Sequence, residues 1–109
     1  MNLESEFRVQ VIDRIKERFP LMDLDFIKPV HYTRSLPDLF IIAPNNVWAA
    51  LELKRIKNAD HQPNQDWHIA RLDTKGFARV VYPGNLEEIL DELEELFASQ
   101  EHSRISIPF

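Results

Sequence analysis

Cysteine is absent from the 109 residues of this chain. That excludes disulfides, thiolate metal sites and cysteine catalysis. No apolar run approaches the ~20 residues that a membrane span needs. The opening "MNLESEFRVQ" lacks the basic-then-apolar pattern of a signal peptide. A cytoplasmic protein is therefore expected. Internal repeats and low-complexity segments are missing too. So are bases between 87 and 101, where seven acids stand: Glu87, Glu88, Asp91, Glu92, Glu94, Glu95 and Glu101. The formal net charge is −5, but residues 1–86 hold eleven acids and twelve bases. One acidic helix thus carries the imbalance, and bulk acidity neither vetoes nor supports a phosphate ligand.

The length suits a single domain over 1–109 with a modest core, and 44% apolar with 28% charged residues is ordinary globular composition. Leu3, Phe7, Val11, Ile15 and Phe19 recur every four residues, which predicts a helix over 3–19 capped by Asn2 and stopped by Pro20. At ~100° per residue Glu4 falls inside that apolar stripe and Glu6 falls off it. The segment "DFIKPVHY" suits a short edge strand. "LPDLFII" and "VWAALEL" suit paired central strands joined by the turn "APNN". A polar loop at 55–62 leads to a helix from Pro63 to Lys75, stopped by Gly76. "FARVVY" is a further strand, followed by the turn "PGN". Asn85 and Glu88 form a capping-box-like pair for a last helix at 86–99, whose acids suit a solvated face. The tail's Ile105 and Ile107 alternate like a docked strand or a partner contact. The expected architecture is α/β with a mixed central sheet, in the order α-β-β-β-α-β-α.

Charge intrudes where the chain is most core-like. Asp38 opens one central strand, and Glu52 and Lys54 close the next. Period 2 puts Trp48, Ala50, Glu52 and Lys54 on one face. In a hairpin, Asp38 and Glu52 lie close together at one end. Two such carboxylates repel unless a cation sits between them, and a hard divalent ion with oxygen ligands, such as Mg²⁺, resolves the conflict. Lys54 would then face the same site and orient a water or stabilise charge on a phosphate. The bland alternative is an Asp38–Lys54 salt bridge at the sheet end with Glu52 solvated.

Pro37-Asp38 followed by Glu52-Leu53-Lys54 resembles the signature of the PD-(D/E)XK nucleases. The wider set resembles their VRR-NUC (virus-type replication–repair nuclease) group. Its members look like Glu4 on the first helix, Pro37-Asp38, Glu52-Leu53-Lys54, Gln65 near the next helix and Gly76 before an apolar strand. The chain departs from the group in having Ser35-Leu36 where a glycine usually precedes Pro-Asp.

The resemblance implies a restriction-endonuclease-like fold and a metal-dependent endonuclease acting on DNA, including branched DNA such as four-way junctions. It implies Mg²⁺ or Mn²⁺ held by Asp38, Glu52, the Leu53 carbonyl and Glu4. Lys54 would align water and phosphate, and Gln65 would orient Lys54 or contact substrate. A homodimer is implied because junction cleavage needs two sites, and a DNA-repair or phage setting follows from the group. The alternative is a non-catalytic nucleic-acid-binding or interaction module on the same fold. His31, His61, His68 and His102 are expected at the surface rather than on zinc, and Trp67 in the core rather than stacked on a base. Arg34, Arg55, Lys57 and Arg71 are candidates for phosphate-backbone contacts.

Overall fold

The computed structural model describes residues 3–29, 37–54 and 69–105, with side chains over 5–29, 37–54 and 69–99. Helix α1 spans Leu3–Arg18. Strands β1 (Asp25–Ile27), β2 (Leu39–Ala43) and β3 (Val47–Leu53) follow. Residues 69–73 are helical (α2), β4 is Phe77–Val81 and α3 is Leu86–Ile105. The expected order of elements is the observed one. Gln65, Trp67, His31, His61, His68, Arg34, Arg55, Lys57 and the expected helix start at Pro63 lie outside the described residues, and the side chains of Glu4 and His102 do too.

The four strands lie in the order β1-β2-β3-β4. β1 pairs with β2 and β2 with β3 in antiparallel fashion, while β3 and β4 run parallel. A parallel neighbour needs a crossover, and the segment carrying α2 supplies it. The pleat divides the sheet between two cores. On one face Leu39, Ile41, Ala49, Leu51 and Val81 meet Phe7, Val11 and Ile15 of α1 and the apolar stripe of α3. On the other, Ala50 and Ala78 meet Ile69 of α2, with Phe40, Trp48 and Leu72 half-buried around them. Central strands covered on both faces need continuous apolar sequence, which is why "VWAALEL" hardly alternates.

The β2–β3 connection is a tight turn, Pro44–Asn46, closing on the Ala43↔Val47 pair. Asn45 and Asn46 both adopt left-handed backbone, with φ of 68° and 65°. Asparagine tolerates this region better than other non-glycine residues. Asn45→Gly is expected to leave thermal stability unchanged or raised. Asn45→Val is expected to cost about 1–2 kcal/mol, checked by denaturant melts of the two variants side by side.

Several sequence expectations need correction. α3 continues to Ile105, so Ile105 belongs to a helix and not to a tail strand. The Asn85 side chain serves β4 and not an α3 capping box: it accepts from Tyr82 N–H at 2.8 Å and donates to the Val80 carbonyl at 3.0 Å. Gly76 does not have positive φ, so it is not a left-handed helix stop. A Cβ there would lie 2.4 Å from Trp48 Cζ2, and close approach of the indole is what requires glycine.

The acids of α3 lie on an exposed face, as expected, and several of them also pair within the chain. Arg18 of α1 reaches Asp91 at 2.6 Å and Glu94 at 3.1 Å, and Arg14 bonds Glu87. Arg79 of β4 reaches Glu92 at 2.9 Å. The hydrogen bonds to Asp91 and Glu94 raise the Arg18 pKa above its ordinary value. For Arg79, burial opposes the charge, and the hydrogen bonds to Asp73 and Glu92 outweigh it, so its pKa is raised too. Glu87, Asp91, Glu92 and Glu94 thus have basic partners within the chain. Edge-to-face packing of Phe19 on Phe97, with centroids 5.0 Å apart, closes the same helix pair.

Candidate active site

The site lies where β2 begins and β3 ends. Pro37 is buried and fixes the entry to β2. One step beyond the Leu39↔Leu51 pair, the register sets Asp38 opposite Glu52. Directly opposed residues of an antiparallel pair have Cβ atoms about 5 Å apart on one face. The Asp38 carboxylate also takes the place of a backbone acceptor: Leu53 N–H donates to its Oδ2 at 2.8 Å.

Glu52 is 2% exposed, and it is the one charged residue in the buried set among the described residues. Its Oε1 has no contact with solvent. The alternative that left Glu52 solvated is overturned. Glu52 shares its face with Ala50 and Trp48, away from α1 and α3, as the period-2 reading required. The same face holds an apolar groove of about 390 Å³ lined by Phe40, Ile42, Asn46, Trp48 and Leu72.

The backbone beyond β3 is fixed by β4. Lys54 N–H donates to the Val81 carbonyl at 2.8 Å. Its peptide bond is trans, so the Leu53 carbonyl, antiparallel to that N–H, is directed to the opposite side. Leu53 therefore offers both its N–H and its carbonyl toward Asp38. Lys54 is half-buried and next in the pleat after Glu52.

Two carboxylates, one of them buried, and a strand-end carbonyl form an all-oxygen donor set. That set fits a hard divalent cation and offers nothing to a soft one. Among the described residues no group of three or more His, Asp or Glu side chains is gathered in one place. Of the two helical acids considered, Glu6 is exposed, and Glu4 lies in the first turn of α1. Arg71 is exposed on α2. The sequence pointed to Asp38, Glu52 and Lys54 but not to Val81, whose carbonyl sets the Leu53–Lys54 peptide. A carbonyl leaves no mark in sequence, and only the parallel register with β3 exposes its part.

No family model matches the sequence, and no curated protein matches it. Among solved structures the chain is similar to a "VRR_NUC domain", at 24% identity and a TM-score of 0.57, over 76% of this chain and 92% of that one. The chain thus shares the fold of that domain: a mixed sheet with helices on both faces. No described helix is long and apolar enough to cross a membrane.

Proposed function

We propose that this protein is a divalent-metal-dependent nuclease that hydrolyses DNA phosphodiester bonds. The observation that carries the reading is the buried Glu52 carboxylate opposite Asp38 at the open end of two strands, on a fold shared with a VRR_NUC domain. A buried carboxylate facing a second one is costly unless a cation joins them.

Asp38, Glu52 and the Leu53 carbonyl would hold Mg²⁺ or Mn²⁺, with Glu4 completing the set. The ion would supply Lewis-acid chemistry, easing deprotonation of a water and offsetting phosphate charge. The protein's own part is positioning and electrostatics. The Lys54 ammonium aligns the attacking water with the scissile phosphorus and stabilises the negative charge that builds there. A new phosphorus–oxygen bond forms to the water while the bond to the sugar oxygen breaks; the water's proton leaves to solvent, and the leaving sugar oxygen takes a proton from solvent to become a hydroxyl. Gln65 steadies Lys54 or the substrate. Branched DNA is the proposed substrate class. A homodimer would supply the second site that junction cleavage needs.

The test is a nicking assay with and without Mg²⁺ on four-way junction, nicked and linear DNA and on matched RNA, with Mn²⁺ calorimetry alongside. Metal-dependent cutting that favours the branched DNA is the expected result. Intact substrates together with no Mn²⁺ binding would instead favour a non-catalytic module on this fold.

A further inference from the structure

We propose that β4 is a guarded edge, sealed by side chains of its own chain against pairing with a second copy. This inference does not rest on the nuclease reading. β4 is the last strand of the sheet among the described residues, and an edge strand exposes N–H and carbonyl groups that invite another strand. Its sequence, "FARVV", is largely apolar and ends in two β-branched residues, a composition that pairs readily.

The Val81 carbonyl accepts from Lys54 N–H, so Val81 faces β3. Backbone direction alternates along a strand, so Arg79 and Phe77 face β3 too, and Ala78, Val80 and Tyr82 face outward. Four of those outward groups are filled by side chains. Asp73 Oδ1 accepts from Ala78 N–H at 3.2 Å. Arg79 Nη1 donates to the Ala78 carbonyl at 2.9 Å. Asn85 accepts from Tyr82 N–H at 2.8 Å and donates to the Val80 carbonyl at 3.0 Å.

The guard is itself braced. Arg79 also bonds Asp73 at 2.5 Å and Glu92 at 2.9 Å, and its guanidinium lies 4.3 Å from the centre of the Phe77 ring. Asp73 ends α2, on one face of the sheet, and Glu92 belongs to α3 on the other. Together they hold Arg79 across the strand margin. Any self-association of the native chain must therefore use a surface other than β4.

The test compares the wild-type chain with the double variant Asp73→Ala/Asn85→Ala, by light-scattering mass over a concentration series and by amide hydrogen exchange. The double variant is expected to form species on the order of twice the wild-type mass, with the Ala78 and Tyr82 amides slowed in them. Adding Val80→Pro is expected to reverse this, because the Val80 N–H faces outward and a paired strand needs it. A folded double variant with wild-type mass at every concentration overturns the proposal. So does association in which the Ala78 and Tyr82 amides exchange faster than in wild type. If the double variant does not fold, Asp73→Ala alone opens the Ala78 end. Association with a slowed Ala78 amide then supports the guard, and unchanged mass overturns it.

Discussion

Asp38→Asn is expected to slow metal-dependent DNA cleavage severely while leaving the fold in place. The amide oxygen of asparagine can still accept the Leu53 N–H that Asp38 Oδ2 now accepts at 2.8 Å. The strand end therefore keeps its geometry, and only the charge is lost. The rate should fall by about 10³-fold, the upper end of what removing one charge-stabilising group does. A second readout separates metal binding from chemistry. A cation that binds only the folded state stabilises it by about 2.7 kcal/mol at one hundred times its dissociation constant. Wild type should show that rise in Mn²⁺, and Asp38→Asn should not.

Lys54→Ala should behave differently. Its rate should drop by about 10²–10³-fold while the Mn²⁺-linked stabilisation survives, because the lysine holds no metal. Equal Mn²⁺ stabilisation in wild type and Asp38→Asn would remove the carboxylate pair as the cation site. Undiminished cleavage in both variants would sink the catalytic assignment.

The second large effect is on stability. Gly76→Ala places a methyl group 2.4 Å from Trp48 Cζ2, 2.6 Å from Cε2 and 2.8 Å from Cη2. These are atoms of a rigid ring packed beside Phe40 and Leu72, so the indole must move as a body. Overpacking of this kind costs about 1–3 kcal/mol, and each kcal/mol lowers the melting temperature of a domain this size by roughly 4–8 °C. Trp48→Leu vacates the contested space. In that background Gly76→Ala should cost much less, a non-additivity that neighbouring residues show and distant ones do not. An unchanged cost would mean that the backbone of Gly76, and not its neighbour, requires glycine.

Asp38 and Glu52 were legible because a carboxylate inside an apolar strand violates a local rule that the next few residues make visible. Phe7, Val11 and Ile15 were legible as a core stripe because helical periodicity is also local. The role of Gly76 was not, because its reason is an indole 28 positions earlier, brought close only by the β3–β4 pairing. Asn85 looked like a helix cap because it precedes a helix, and the two competing backbone partners on β4 are invisible without the turn. Most acids of α3 are exposed as expected, but their ion pairs could not be read, because Arg14 and Arg18 stand 73 to 76 residues away along the chain. Burial of Glu52 was a further surprise of degree: period 2 placed it beside Ala50 and Trp48, but only the packing on that face brings it to 2% exposure.

That pairing of α1 with α3 also says something about how the protein comes into being. The first helix leaves the ribosome with Phe7, Val11 and Ile15 bare, and the residues that cover them include Leu90, Leu93 and Phe97 on the last helix. Nearly the whole sheet is made before its lid exists. Contacts so distant in sequence are slow to form, and exposed apolar surface in the interval invites aggregation. The arginines that later bond Glu87, Asp91 and Glu94 would keep the unfinished first helix charged, and hence dispersed, until synthesis delivers the helix that completes the core.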